Sequence, residues 1–207
     1  MLNIKMPTFD QIKSTLKNYT VGIAGAGGLG SNVAMMLTRA GVGKLVVADF
    51  DIVAESNLNR QFYFKHQVGF KKVDALRANL LSINPDLLLT THNVKLDEEN
   101  LFRFFPDVDV MVEAFDGADM KQIIIEKFQA EMPGIPLVAG NGMAGWGNSN
   151  TMKVQQAGNL FLCGDGYSEV TVELPPIAPR VTICAAMQAN VVLEILLNRE
   201  AEIKANP

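Results

Sequence analysis

A glycine run set between an apolar segment and a helical pattern leaves this chain few folds to choose from. Val21-Gly22-Ile23-Ala24 runs straight into Gly25-Ala26-Gly27-Gly28-Leu29-Gly30-Ser31, and Leu29, Val33, Leu37 and Ala40 then recur at helical spacing. Each glycine of such a loop has its own mechanical task. Gly25 makes the tight turn, Gly27 lets backbone N–H groups come up to phosphate, and Gly30 lets the helix lie close on the strand. The helix start then faces an anion. At the end of the next apolar segment stands Asp49, 19 residues after Gly30, where a carboxylate either takes ribose hydroxyls or caps the strand.

The same alternation continues along the chain. Residues 21–24, 45–48, 108–112 and 135–139 are short, Val/Ile-bearing, largely apolar stretches bounded by Gly, Pro or Asp, the pattern of strands buried on both faces. Between them lie helical spacings at Val73, Leu76, Leu80 and Ile83, and at Met120, Ile123, Ile124 and Phe128. Strand alternating with helix calls for a mainly parallel sheet, because parallel strands need long crossovers. The expected fold is therefore α/β: a Rossmann-like, doubly wound sheet with helices on both faces, as a single domain over residues 1–207. After Gly140 the alternation stops. Residues 140–150 are turn-rich, 152–156 and 160–163 suggest a short strand pair, and 181–198 read as one apolar helix behind Pro175, Pro176 and Pro179, with a frayed tail over 201–207.

Composition excludes several partners. Lys and Arg number 18 against 22 Asp and Glu, a net charge of −4, so binding by counterion release to nucleic acid or to an anionic membrane is not expected. Mean hydropathy is +0.15, yet no uninterrupted apolar run nears the roughly 18 residues of a bilayer span. The first residues lack the pattern of a secretion signal, which points to the cytoplasm. The two cysteines, Cys163 and Cys184, are too few for a disulfide framework.

Asp49-Phe50-Asp51-Ile52-Val53-Ala54-Glu55-Ser56-Asn57-Leu58-Asn59-Arg60-Gln61 is too polar for core and reads as a binding loop. Gly69-Phe70-Lys71-Lys72 then opens a helix with ammonium groups that the helix dipole does not favour, so something anionic should hold them. A guanidinium at Arg60 and a compact ammonium at Lys72 suit a polyphosphate. Asp116, just past the strand that begins near Val108, falls where ligands of open α/β sheets bind and can serve Mg²⁺, which asks for only one or two carboxylates beside phosphate oxygens. A second run, Gly140-Asn141-Gly142-Met143-Ala144-Gly145, repeats the glycine spacing, but no helix comes after it and it reads as a turn.

Together these residues resemble the ThiF/MoeB group, relatives of ubiquitin-activating enzymes. Gly25 to Ser31, Asp49-Phe50-Asp51, Ser56-Asn57-Leu58-Asn59-Arg60-Gln61, Lys72, Ile83-Asn84-Pro85 and Asp116 stand in that family's order, over about residues 20–200. The resemblance implies ATP and Mg²⁺ as cofactors. Gly25, Gly27, Gly28, Leu29 and Gly30 would lie beneath the nucleotide, and Asp49 would hold the ribose. Asn57 and Arg60 with Lys72 would hold the polyphosphate, Asp51, Ser56, Asn59 and Gln61 would also belong to the cofactor site, and Asp116 would bind the metal. Arg60, Lys72 and Asp116 would be the catalytic set. The implied reaction is adenylylation of the C-terminal glycine of a small ubiquitin-like sulfur carrier ending in Gly-Gly, by a homodimer, most like the ThiF-type proteins of thiamine biosynthesis.

Three departures qualify the match. The family often places an arginine near the N-terminus to reach a partner subunit's ATP, whereas the first here is Arg39, leaving Lys5, Lys13 or Lys17 as substitutes, or Arg180 ahead of the last helix. The paired Cys-x-x-Cys sequences that hold zinc in many relatives are missing, so no zinc site is expected. A lone Cys163, in the loop 163–166, could take up the carrier, whereas Cys184 reads as packing. His66 and His92, the latter in a polar turn, have no partners at metal-ligand spacing. Two other readings stay open: an NAD-dependent oxidoreductase, which would use the same loop and acid, and a module that only docks a carrier.

Overall fold

The computed structural model describes residues 7–205. Among them, seven strands form one sheet in the order β3-β2-β1-β4-β5-β7-β6. The strands are β1 (Thr20–Ala24), β2 (Lys44–Asp49), β3 (Leu88–Asn93), β4 (Val110–Glu113), β5 (Leu137–Gly140), β6 (Lys153–Ala157) and β7 (Leu160–Gly164). Every neighbouring pair is parallel except β6 with β7. The doubly wound fold is thus present, and the strand pair of the last third joins the main sheet through β7 and β5 instead of standing apart.

The helices are α1 (Phe9–Leu16), α2 (Gly28–Ala40), α3 (Lys72–Ile83), α4 (Leu101–Phe104), α5 (Ala118–Glu131) and α6 (Ala178–Ala205). They cover both faces, and the period-2 alternation of the central strands divides the core between them. Val21 and Ile23 of β1, with Val110 and Val112 of β4, join a cluster with Leu29, Val33 and Leu37 of α2 and Val181, Ala185 and Val192 of α6. On the opposite face Ala24 and Met111 pack with Phe105, Ile124 and Phe128. Gly22 points to that second face, where a β-carbon would come within 2.7 Å of the Met111 sulfur.

Several expectations change. β3 and α1 carry no clear apolar signal and have no counterpart in the sequence pattern. α1 begins with a capping box, in which the Gln11 N–H donates to Thr8 Oγ1 and the Thr8 N–H to Gln11 Oε1. His92 belongs to β3, not to a turn, and its ring lies 4.8 Å from that of Phe104. The tail is not frayed from residue 201, because α6 continues to Ala205. Pro179 sits in its first turn, where a missing N–H loses nothing. By length and hydropathy, residues 178–201 would also pass as a membrane span, although polar residues interrupt their apolar runs. In this fold the stripe Val181, Cys184, Ala185, Gln188, Val192 and Leu196 is buried, and it lies along α2 and the sheet.

Candidate active site

The carboxyl ends of β1, β2 and β4 carry the sequence-derived residues, and the glycine loop between β1 and α2 is their floor. Gly25 has φ +99°, a conformation that disfavours any side chain, and a β-carbon there would approach the Ala114 carbonyl oxygen to 2.7 Å. At Gly30 a β-carbon would fall 1.9 Å from the Gly25 carbonyl oxygen, so the turn closes only around glycine. α2 follows Gly27, which as glycine gives its start no side-chain cap, and has no acidic residue in its first turn. The N–H groups of Gly28, Leu29 and Gly30 therefore lack intrahelical acceptors, and the positive end of the dipole is uncompensated.

Polar side chains hold that loop in shape. Asp49 accepts from the Ala26 N–H at 2.7 Å through Oδ2 and from the Asp51 N–H at 2.8 Å through Oδ1. It caps the strand end and fixes the loop at once. Buried Tyr63 donates its hydroxyl to the Ala26 carbonyl at 2.7 Å. Burial, with the charges of Asp49 and Asp51, raises its pKa far above the ordinary phenol value, so it remains a donor. Ser31 Oγ donates to the Gly27 carbonyl and accepts from the Phe62 N–H, while Asn32 Nδ2 bridges the carbonyls of Gly28 and Arg60. Sequence reasoning singles out none of Tyr63, Ser31 and Asn32 as a support, although all three lie within or directly beside the quoted motifs.

The polar loop after β2 folds back over this floor. Asn57 Oδ1 accepts from the Ala54 N–H, which shapes a single 3₁₀ turn. Arg60 sits against Gly28, whose β-carbon would meet the arginine Cγ at 3.6 Å. Its Nη1 donates to the Ser56 carbonyl and to Asn59 Oδ1, leaving Nε and Nη2 without a protein acceptor among the described residues. Gln61 is buried, and its Oε1 has no partner there. The anion expected near Lys72 turns out to be Asp51: the buried ammonium donates to Asp51 Oδ2 at 2.6 Å, and the Lys72 N–H donates to the Asp51 carbonyl at 2.9 Å. Asp51 is half exposed, so one face of the pair stays open to solvent.

Asp116 is exposed in the turn between β4 and α5, beside Gly117 at the helix cap. Behind it lies a pair that sequence reasoning missed. Glu113, fully buried at the end of β4, bonds to Lys121 Nζ through Oε2 and accepts from the Phe115 N–H at 2.7 Å through Oε1. Burial raises the Glu113 pKa against the opposing pull of Lys121. A charged residue ending a strand of three apolar residues was the available signal; its partner, eight residues on, had none.

The second glycine run is built around another ion pair. Gly142 (φ +82°) has Asp165 Oδ1 where its β-carbon would lie, at 2.0 Å. Asp165 and Arg180 are paired and buried, and Arg180 Nη1 also donates to the Gly147 carbonyl at 2.7 Å. Arg180 is therefore committed to this loop and does not stand in for the missing arginine. Lys13 and Lys17 lie by Gly41 and Gly43, at the opposite edge of the sheet from the Gly25 loop, and Lys5 falls outside the described residues. Cys163 is not in a loop: it is buried within β7, and burial pushes its thiol up to about 12. Cys184, buried as expected, is likewise pushed up to about 12 and donates to the Cys163 carbonyl. No group of three His, Cys, Asp or Glu able to hold a metal occurs among the described residues.

The architecture and this edge define a doubly wound α/β protein with a glycine loop at the carboxyl ends of its central strands. Its family is fixed by sequence: the profile of the ThiF family matches residues 3–207, and the chain belongs to that family. Ubiquitin-like modifier-activating enzyme 5 of Bombyx mori is 33% identical over 163 residues, 78% of this chain and 41% of that protein. The Branchiostoma floridae protein of the same name is 45% identical over 92 residues, 44% of this chain and 23% of that one. The chain thus spans less than half the length of these relatives. Among solved structures, E. coli tRNA N6-threonylcarbamoyladenosine dehydratase, TcdA, in complex with AMP superposes with TM-score 0.85 at 17% identity, covering 93% of this chain and 92% of that one. E. coli MccB with ATP gives 0.67 at 23%, covering 89% and 57%. These two likenesses speak to the fold.

Proposed function

We propose that this chain binds ATP with Mg²⁺ and adenylylates the C-terminal glycine carboxylate of a ubiquitin-like protein ending in Gly-Gly, as a cytoplasmic homodimer. The narrower form of the reading makes that protein a sulfur carrier of thiamine biosynthesis. The observation that carries the proposal is an uncapped helix start with Arg60 lying against Gly28 and keeping free donors; Lys72, paired to half-exposed Asp51, is tied to the same loop through Asp49, which accepts from both the Asp51 and the Ala26 N–H. Family membership, and folds shared with structures determined with ATP, support it.

The residues present fit the nucleotide. A triphosphate needs main-chain donors, and the first turn of α2 offers N–H groups that nothing in the helix satisfies. Arg60 would present Nε and Nη2 to phosphate oxygens. Lys72, held by Asp51, would supply a compact charge from a fixed position. Asp49 would use its remaining lone pairs for the ribose while keeping the loop in place. Asp116, exposed and unencumbered by a hydrogen bond among the described residues, would hold Mg²⁺. The ion, when bound, neutralises negative charge on the phosphates.

Attack of the carrier's carboxylate oxygen on the α-phosphorus forms the acyl–phosphate bond and breaks the bond to pyrophosphate, which leaves with its electron pair. No protein nucleophile is needed, in keeping with buried, protonated thiols at Cys163 and Cys184. Arg60 and Lys72 would stabilise the charge that moves onto the leaving group, and the loop amides would fix the line of attack. The carrier tail would run along residues 140–147. The test is exchange of labelled pyrophosphate into ATP with a Gly-Gly-terminated ubiquitin-like protein. Exchange that falls at least tenfold in Arg60→Ala and Asp116→Ala supports the assignment; exchange indifferent to both refutes it.

A further inference from the structure

The pair of buried Glu113 and part-buried Lys121 behind Asp116 ties together three segments that the proposed chemistry needs in register. Lys121 Nζ, on the first turn of α5, bonds to Glu113 Oε2 and donates to the Gly140 carbonyl at 2.9 Å. Glu113 Oε1 takes the Phe115 N–H, the peptide next to Asp116. The Glu113 carbonyl accepts from Gln188 Nε2 at 3.0 Å, and the same amide reaches the Val138 carbonyl at 3.2 Å. One side chain therefore joins the turn that carries Asp116, the helix after it, and the exit of β5 into the glycine-rich loop of residues 140–147.

A salt bridge to a fully buried carboxylate contributes little to stability alone, because the cost of desolvating Glu113 cancels most of its attraction to Lys121. An apolar pair would pack α5 onto β4 as well. What apolar groups could not do is take three directional bonds at once and set the 113–117 turn against the end of β5.

We propose that Lys121 is a positioning residue: through Glu113 it fixes the Asp116 turn for the metal–nucleotide complex and holds the neighbouring Gly140 exit in register with it. The inference rests on the reading that Asp116 serves Mg²⁺. Lys121 itself touches neither metal nor nucleotide. Removing an orienting partner of a metal ligand weakens metal binding about 10- to 100-fold in characterised sites.

The test uses the intact chain and two readouts. Calorimetric titration of ATP, with Mg²⁺ varied and again in EDTA, separates metal-dependent from metal-free affinity; native-state hydrogen exchange tracks the Phe115 amide. Lys121→Met should raise the Mg²⁺ needed for half-maximal tightening of ATP binding about tenfold. Affinity in EDTA should stay within about twofold, and Phe115 exchange should quicken. Lys121→Arg, which keeps charge and donors, should recover most of the Mg²⁺ response. If Lys121→Met does not fold, Glu113→Gln, which keeps the shape of the acceptor, should shift the Mg²⁺ profile in the same direction. An unchanged Mg²⁺ profile in folded variants overturns the inference, as does an equal loss of affinity with and without metal. Wild-type protein that binds ATP no better with Mg²⁺ would instead defeat the reading of Asp116, and Phe115 exchange would then decide alone whether Lys121 orders the turn.

Discussion

Two loops in this molecule share the same glycine spacing and are made for different ends. In the first, Gly25 and Gly30 are dictated by the backbone itself: the carbonyls of Ala114 and Gly25 occupy the space that their β-carbons would need, and the chain passes directly into α2. In the second, Gly142 and Gly145 make room for side chains, Asp165 and Leu174, and the chain passes into a hairpin. A glycine pattern records only where side chains are forbidden. Whether the bare backbone then serves a ligand depends on the next element of the chain, here a helix start with unsatisfied N–H groups.

The contrast can be broken by substitution. The largest effect belongs to the second loop: Arg180→Met strands a buried Asp165, and denaturant unfolding should register a loss of about 3–5 kcal/mol with nucleotide affinity spared in the fraction that folds. Burial pushes the Asp165 carboxyl up, but bonds from the Ser168 and Tyr167 N–H groups, and Arg180, outweigh it and hold its pKa below the ordinary value. Its contribution is thus complete above the unfolded carboxylate pKa of about 3.9 and is lost as pH falls through the lower folded value. The stability gap between wild type and Asp165→Asn should accordingly close on acidification; a constant gap would contradict the pairing.

Next comes Gly30→Ala, which forces a β-carbon into the Gly25 carbonyl and should cost about 3 kcal/mol while also abolishing the rise in melting temperature given by ATP. Asp51→Ala leaves the Lys72 ammonium buried without its partner and should cost about 2 kcal/mol. The smallest effect is expected at Gly147, where φ is +71° but a side chain would meet open space: Gly147→Ala should cost about 1 kcal/mol. Equal penalties at Gly30 and Gly147 would erase the distinction between the loops.

Much of this is legible in the sequence alone. Val21 to Ala24, the glycine loop and α2 stand out because local sterics and buried periodicity act together there. β3 is not legible: Leu88-Leu89-Thr90-Thr91-His92-Asn93 lies on the edge of the sheet, half exposed, and edge strands need no continuous apolar run. Nor can the partners of the charges be read. Lys72 invites an anion, but Asp51 stands 21 residues away and Arg180 is 15 from Asp165. Such pairings are fixed by the fold, and Cys163 shows the converse, a thiol that sequence leaves free and β7 buries.

The central claim, that the first loop grips a triphosphate, is tested most directly by calorimetric titration of the intact chain with ATP·Mg²⁺ and, separately, with NAD⁺. The account predicts saturable binding of ATP, weakened at least tenfold by Arg60→Ala, and no heat from NAD⁺. Binding of NAD⁺ with none of ATP, or ATP binding indifferent to Arg60, would contradict it.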